Sequence, residues 1–255
     1  MRHLRRAVLT AAALALCAAP IAQADGSPVE QDGGGGSVVR PAAHVGGVSG
    51  SRLLARWFAR LLALPPAQNP LADNGEPCLR LGPGGRVLSP VNGAARTTVT
   101  CTVEAHRPVF LVTTNAECST AEEAPFRAGG AANQARCALE QLLGLVPLVP
   151  SIKVTVDDRP PVEIRTDAFL LVSTQGRTIF PETAIFEPST AGGASFAGAT
   201  WAAQVRGFAP GRHVIRVDYT FSFGPFTATF NLDVVRRAAD DEDEDEDDEG
   251  DGDDD

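Results

Sequence analysis

From Thr97 to Cys137 the chain reads TTVTCTVEAHRPVFLVTTNAECSTAEEAPFRAGGAANQARC, and this stretch decides the fold. Val99, Cys101 and Val103 alternate with threonines, and a period of two is typical of a strand with one buried face. The next run, Val109–Val112, is apolar throughout and rich in β-branched and aromatic side chains, which favours a buried central strand. The stretch therefore predicts two core strands, followed by a polar loop and a helix.

The clearest strand pattern lies nearer the C-terminus. Apolar and polar residues alternate over residues 215–221 and again over 226–234, and Gly224 and Pro225 between them predict a turn. Regular alternation of apolar and polar residues indicates sheets with one buried face and one solvent-exposed face, as in an antiparallel sandwich. Shorter patterns of the same kind occur around residues 152–156, 162–164, 169–172 and 201–205.

Two segments have the periodicity of α-helices. The first runs from Arg52 to Leu64, with leucines and aromatic residues on one broad face, arginines on the other and Pro65 after it. The second runs from about Ala131 to Leu143. A basic amphipathic helix such as the first could lie on a membrane surface. Packing of its apolar face on the domain explains the same pattern, and we expect that arrangement.

These patterns predict a single domain over residues 51–237. Its fold class is mainly β: an antiparallel β-sandwich with two accessory α-helices. A domain of this length buries roughly 70% of the surface that its unfolded chain exposes. Residues 25–50 include a run of four glycines and few large apolar side chains, so we expect a disordered linker there.

The C-terminal segment, residues 238–255, is an acidic tail. Between Asp240 and Asp255, 14 of the 16 residues are Asp or Glu. Like charges repel and apolar side chains are absent, so we expect the tail to be disordered and solvated. Weak association of divalent cations with the tail is an alternative role, although the ligand spacing of an EF-hand is missing.

The N-terminal residues 1–24 have the features of a secretory signal peptide: arginines, then an apolar run, then the cleavage pattern Ala22-Gln23-Ala24. Cleavage there would make Asp25 the first residue of a secreted or extracytoplasmic protein. The alternative is a lipoprotein anchored at Cys17, although Leu16 stands where a small residue is usual. The remaining sequence has no apolar run of the roughly 20 residues that a membrane span needs.

The formal net charge of −10 arises from the acidic tail. Without the tail's 14 acids and the three arginines of residues 1–24, positive and negative charges nearly cancel. A nucleic-acid-binding protein normally carries a basic surface, so this composition excludes nucleic acid as an expected partner.

Four cysteines follow residue 24, and four cysteines allow three pairings. We predict the bridges between sequence neighbours, Cys78–Cys101 and Cys118–Cys137. Each would close a loop of about 20 residues and stabilise the fold by about 3 kcal/mol. Without a C-x-x-C pair, and with few histidines, neither a zinc site nor a redox site is expected, and we predict no metal and no cofactor.

Several of these segments together resemble a family of secreted bacterial proteins of unknown function. The family has a tryptophan-bearing helix, an NP-x-x-D-x-x-G-x-x-C step, a CTV strand, an N-x-ECS loop and a late PG-x-H turn. The corresponding segments here are SRLLARWFARLLALPPAQNPLADNGEPC, RTTVTCTV, FLVTTNAECSTAEE, QARCA, VDDRPPV and FAPGRHVIRVDY, within residues 51–235, and the first has one residue instead of two between Asp73 and Gly75. This chain departs at Glu104-Ala105-His106, where the family has Pro-Ala-Gly. The resemblance implies an exported architecture and no catalytic residue.

The chain has no recognisable catalytic set. It lacks the G-x-S-x-G motif, and the histidines of residues 51–237 are His106, in a predicted turn, and His213, at the start of a predicted strand. The adjacent carboxylates Glu122-Glu123 and Asp157-Asp158 are unsuited to act as an acid–base pair, because neighbours in a loop rarely converge on one substrate.

A candidate binding loop surrounds Cys118. It contains Asn115, Glu117, Glu122 and Glu123, and the predicted disulfide would fix its position. An amide and carboxylates in a fixed, accessible loop could bind a cation or a sugar. The alternative is that these side chains only form hydrogen bonds that structure the loop.

We therefore predict an exported, non-enzymatic protein that is either structural or a binding module. The alternative is a secreted hydrolase that acts on a polysaccharide. That alternative needs two carboxylates about 5–10 Å apart in a deep cleft, brought together only by the fold.

Overall fold

The computed structural model describes residues 36–41, 44–93, 95–182 and 190–236. Within them the chain forms two α-helices, α1 (Gly50–Leu62) and α2 (Ala131–Gly144), and fourteen strands. The strands are β1 (Ser37–Val39), β2 (His44–Val45), β3 (Val48–Ser49), β4 (Cys78–Leu81), β5 (Val87–Pro90), β6 (Thr98–Glu104), β7 (Val109–Ser119), β8 (Ser151–Val156), β9 (Val162–Glu163), β10 (Leu170–Val172), β11 (Gly176–Phe180), β12 (Gly192–Arg206), β13 (Gly211–Phe221) and β14 (Gly224–Val235).

Two sheets face each other as a β-sandwich. The first has the strand order β1-β12-β7-β5-β4, with β10 and β11 also paired with β12, and the second has the order β6-β14-β13-β8-β9. The core between them takes Leu111 and Trp201 from the first sheet and Ile215 and Leu232 from the second. The predicted mainly β sandwich with two accessory helices is confirmed.

Two strand pairs are parallel, which differs from the antiparallel arrangement that we predicted. They are β6 with β14 and β5 with β7, while the other strand pairs are antiparallel. Alternation of polar and apolar residues reports which face of a strand is buried, and it carries no information on the direction of the neighbouring strand. Since β6 and β14 are far apart in sequence, no local turn fixes their relative direction.

Helix α1 covers the outer face of the first sheet. It begins and ends two residues earlier than predicted. Its apolar face packs on side chains of β7 and β12, among them Phe110 and Phe196, in a second core. A fully buried Leu or Phe side chain contributes roughly 1.5–3 kcal/mol, so this face is held on the sheet. The buried large side chains of α1 are Leu53, Leu54, Trp57, Phe58, Leu61 and Leu62.

Strand β12 lies close against α1 at Gly198. A Cβ atom at this position would lie 2.0 Å from Cε2 of Phe58, so the ring can rest on the strand only because residue 198 has no side chain. At Gly193 of the same strand, a Cβ atom would meet nothing within 4 Å.

Two disulfides staple the sandwich. Cys78 of β4 is bonded to Cys101 of β6, with their Cα atoms 5.7 Å apart, and this bridge joins the two sheets. Cys118 of β7 is bonded to Cys137 of α2, with their Cα atoms 6.0 Å apart. These are the pairs that the sequence analysis favoured. Each bridge joins a buried cysteine, Cys101 or Cys118, to a half-buried one.

Part of the segment predicted as a disordered linker, residues 25–50, has regular structure. Strand β1 pairs with β12, and β2 and β3 precede α1. The reason is local: Val45 and Val48 are buried against α1, although the average composition of the segment is glycine-rich. The fold therefore begins before residue 51. Outside the described residues lie the predicted signal peptide (1–24) with Cys17, residues 25–35 of the linker and the acidic tail (238–255).

Candidate functional site

A β-bulge in β7 shapes one end of the first sheet. Two residues of β7, Thr113 and Thr114, lie opposite the single residue Trp201 of β12, and the pairing register on the two sides of this point differs by one. The Thr113 hydroxyl donates a hydrogen bond to the Trp201 carbonyl oxygen. Bulges of this kind bend a strand and occur preferentially beside functional sites.

The extra residue exchanges the two faces of β7. Leu111, before the bulge, and Cys118, after it, both lie in the core between the sheets, although an odd number of positions separates them. In a regular strand such residues would point to opposite faces. After the bulge, Asn115 and Glu117 therefore point to the side of the sheet that carries α1, where Glu117 pairs with Gly198.

A cavity of about 390 Å³ opens beside the bulge. We call it the aromatic cleft, and its walls come from α1, β7, the segment after β5 and the β13–β14 hairpin. Small-molecule sites in proteins typically have volumes of roughly 300–1,000 Å³. None of the described residues that line the cleft is charged. The residues that line the cleft include Trp57, Thr114, Asn115, Tyr219, Phe221 and Phe226.

Aromatic rings from the β13–β14 hairpin form one wall of the cleft. The ring centroids of Tyr219 and Phe221 are 5.7 Å apart and their planes differ by 11°. Phe223, which is 80% exposed at the hairpin turn, extends this row beyond the cleft at 4.9 Å from Phe221. Phe226, opposite Tyr219 on β14, is inclined by 63° to Phe221. The wall therefore presents rings in two orientations.

Neutral polar groups lie among these rings. The Trp57 side chain is only 1% exposed, and its indole N–H has no hydrogen-bond partner among the described residues. The Asn115 amide nitrogen donates to the Thr113 carbonyl oxygen at 2.8 Å, and its Oδ1 has no partner among the described residues. Burial raises the pKa of the Tyr219 phenol above its usual range, so this group is neutral. The cleft thus offers hydrogen-bond donors and acceptors without a charge.

At the C-terminal end of β7, Glu117 and Glu122 form a buried carboxyl pair. Each is 6% exposed. Burial, with repulsion from Glu122, raises the pKa of Glu117 from 4.5 to about 10. Neither carboxyl oxygen of Glu117 has a hydrogen-bond partner among the described residues. Burial also raises the pKa of Glu122, although the Ser119 hydroxyl donates to it at 3.3 Å. Glu117 is therefore uncharged at neutral pH.

The four residues of the predicted binding loop lie in different surroundings in the structure. The strand β7 continues through Ser119, because it pairs with β12 as far as Phe196, so Asn115 and Glu117 lie in a strand rather than a loop. Asn115 lines the aromatic cleft. Glu117 and Glu122 come together but are buried, and Glu123 is exposed and takes no part in their pair. An accessible loop that contains all four was the wrong expectation.

Neither histidine of the sandwich has the surroundings of a catalytic base. Both ring nitrogens of His213 face acceptors at 2.9 Å: Nδ1 lies against an Asp157 carboxylate oxygen and Nε2 against the Ala209 carbonyl oxygen. The same Asp157 accepts the Val214 backbone N–H, so this histidine ties β13 to the turn after β8. His106 is exposed in the turn between β6 and β7, with a φ of 64°.

No protein-family model, curated protein or solved structure matches this chain. The resemblance to secreted bacterial proteins stays a prediction. Among the described residues, no three His, Cys, Asp or Glu side chains gather where they could hold a metal ion. Likewise, no helix in the described ranges is long and apolar enough to cross a membrane.

The sequence pattern gave no indication that the aromatic residues line a site. It predicted that Trp57 lies on the buried face of a helix, and Tyr219 and Phe221 on the buried face of a strand. The available signal was Phe223, because an aromatic residue beside a predicted turn continued the same alternating row into solvent.

Proposed function

We propose that this protein is an exported, non-enzymatic binding module that holds an uncharged ligand in the aromatic cleft. The observation that carries the proposal is the buried indole N–H of Trp57, which has no hydrogen-bond partner among the described residues, on a side chain that lines an uncharged cavity. Leaving a buried donor unpaired costs about 1–3 kcal/mol, and few such groups occur in native proteins. A ligand that accepts this hydrogen bond would remove the penalty.

The composition of the cleft supports an uncharged ligand. A charged group that entered would lose hydration without meeting an opposite charge, which is costly. The alternative of a polysaccharide hydrolase has less support, because the converging carboxyl pair, Glu117 and Glu122, is buried and is not part of the cleft lining.

A ligand-observed NMR screen with a library of uncharged fragments tests the proposal. We expect hits that are lost in Thr114→Trp, which fills the cleft from β7, and kept in Thr102→Trp, an exposed position on β6. Hits that bind both variants equally, or no hits at all, would refute it. Release of reducing ends from a polysaccharide by the purified protein would instead support the hydrolase.

We further propose export through residues 1–24. Disulfides are typical of proteins that mature in oxidising compartments, and the described residues contain two, Cys78–Cys101 and Cys118–Cys137. The intact mass of the exported protein tests this, since a chain that starts at Asp25 supports signal cleavage and a lipid on Cys17 supports the lipoprotein. Weak cation association with the tail, residues 238–255, remains a separate prediction.

A further inference from the structure

We infer that the ligand of the aromatic cleft is a neutral saccharide. This inference rests on the proposed function, because it names the chemical class of ligand for the same site. A sugar is an uncharged, compact molecule that combines apolar C–H faces with hydroxyl groups around its whole rim. Each of these properties has a counterpart in the walls of the cleft.

The apolar faces of a sugar have aromatic partners. The π-system of an aromatic ring is negative on its face, and it attracts weakly positive C–H groups. Phe221 and Phe226 are both half-buried at the cleft and inclined by 63° to each other, so they form an angled apolar corner. Trp57 also lines the cleft, on the side of α1.

The hydroxyl groups of a sugar have polar partners on three different elements. The cleft is lined by Trp57 of α1, Asn115 of β7 and Tyr219 of β13, whose side chains carry an N–H group, an amide oxygen and a hydroxyl group. One is a donor, one an acceptor and one can be either. A long apolar ligand with one polar end could form a hydrogen bond with only one of these three groups, whereas a polyol can form hydrogen bonds with all of them.

The bulge in β7 gives this arrangement its acceptor. Without the additional residue at Thr113 and Thr114, Asn115 would point into the core between the sheets. The exchange of faces moves its amide to the cleft, where its nitrogen is held by the Thr113 carbonyl oxygen and its oxygen is free. Bulges re-aim side chains in this way at many sites.

Two other occupants fit less well. An extended peptide binds by adding to a free strand edge. Along the cleft wall β13 is paired with β14 and, as far as Thr220, with β8, so a peptide could add only to the edge of β7, which pairs with β5 at Val109 and not beside the cleft. The acidic tail is highly charged. It also follows Arg236, which lies at the opposite end of β14 from Phe226.

A panel of neutral oligosaccharides tests the inference by isothermal titration calorimetry with the full exported chain. The panel contains glucose, xylose, mannose, galactose and N-acetylglucosamine oligomers. Trp57→Phe keeps an aromatic ring but removes the N–H. We expect about ten-fold weaker binding in this variant, the loss that follows from one hydrogen bond. Phe208→Leu is the control, because that side chain lies in the core between the sheets and does not line the cleft, so its replacement should leave the affinity unchanged.

Near-ultraviolet circular dichroism confirms that each variant is folded. Saccharide binding that is equal in Trp57→Phe and the native chain would place the sugar elsewhere and overturn the inference. If uncharged fragments bind the cleft but no oligosaccharide of the panel does, the saccharide assignment is wrong while the proposed binding module stands. If neither fragments nor sugars bind, both fail.

Discussion

Replacement of Glu117 by glutamine should stabilise the fold progressively as the pH rises. Glu117 is buried beside Glu122, and its pKa is raised from 4.5 to about 10. The folded protein therefore retains a proton that the unfolded chain releases once the pH exceeds about 4.5. The stabilising effect of that proton is complete below this pH and is lost as the pH rises towards 10.

The magnitude follows from this difference of one bound proton. Between those two pH values, the free energy of unfolding falls by about 1.4 kcal/mol for each pH unit. Glutamine has nearly the same shape and has no proton to release, so its contribution does not change with pH. From pH 6 to pH 8, Glu117→Gln should therefore gain about 3 kcal/mol relative to the native chain.

Urea unfolding with intact disulfides, followed by tryptophan fluorescence at pH 6, 7 and 8, measures this difference. Glu123→Gln is the matched control, because Glu123 is exposed beside the same pair and its replacement should leave the pH dependence of the native chain. Parallel stability curves for Glu117→Gln and the native chain would refute the buried, uncharged state of Glu117.

Three further variants test the packing of α1 on β12 and the Cys118–Cys137 disulfide. Gly198→Ala should destabilise the fold by about 1–3 kcal/mol, because its methyl group would meet the Phe58 ring, whereas Gly193→Ala on the same strand should be stabilising by about 0.4–1 kcal/mol; equal unfolding midpoints in urea would contradict this. Removal of the bridge that spans 19 residues, with Cys118→Ser and Cys137→Ser together, should cost about 3 kcal/mol, and an unchanged midpoint would show that the bridge does not constrain the unfolded chain.

The fold class was predictable because it depends on local patterns. The alternation in residues 215–221 and 226–234 corresponds to β13 and β14, and the periodicity of residues 52–64 corresponds to α1. Their partners were not predictable, because a period of two identifies a buried face but not the strand beside it. The parallel pairing of β6 with β14 is the clearest example.

The candidate site was harder to predict, for two physical reasons. The bulge at Thr113 and Thr114 forms because β12 places one residue opposite these two. The face of the sheet to which the Glu117 side chain points therefore depends on pairing with a strand that is distant in sequence. Whether Phe221 is buried or lines a cleft depends on where the opposite sheet ends. The direction of Glu117 and the exposure of Phe221 therefore both depend on tertiary structure. Neither changes the pattern of polar and apolar residues in β7 or β13.

The Cys78–Cys101 bridge also opposes intermolecular pairing of strand edges between copies of the protein. It joins β4 and β6, which are terminal strands of the two sheets. Unpaired strand edges are templates for intermolecular pairing, and here the Arg80 side chain additionally donates to the Thr102 carbonyl oxygen of β6 at 2.7 Å. With the two edges fastened to each other, neither is presented as a free template, and this side of the sandwich resists edge-to-edge aggregation.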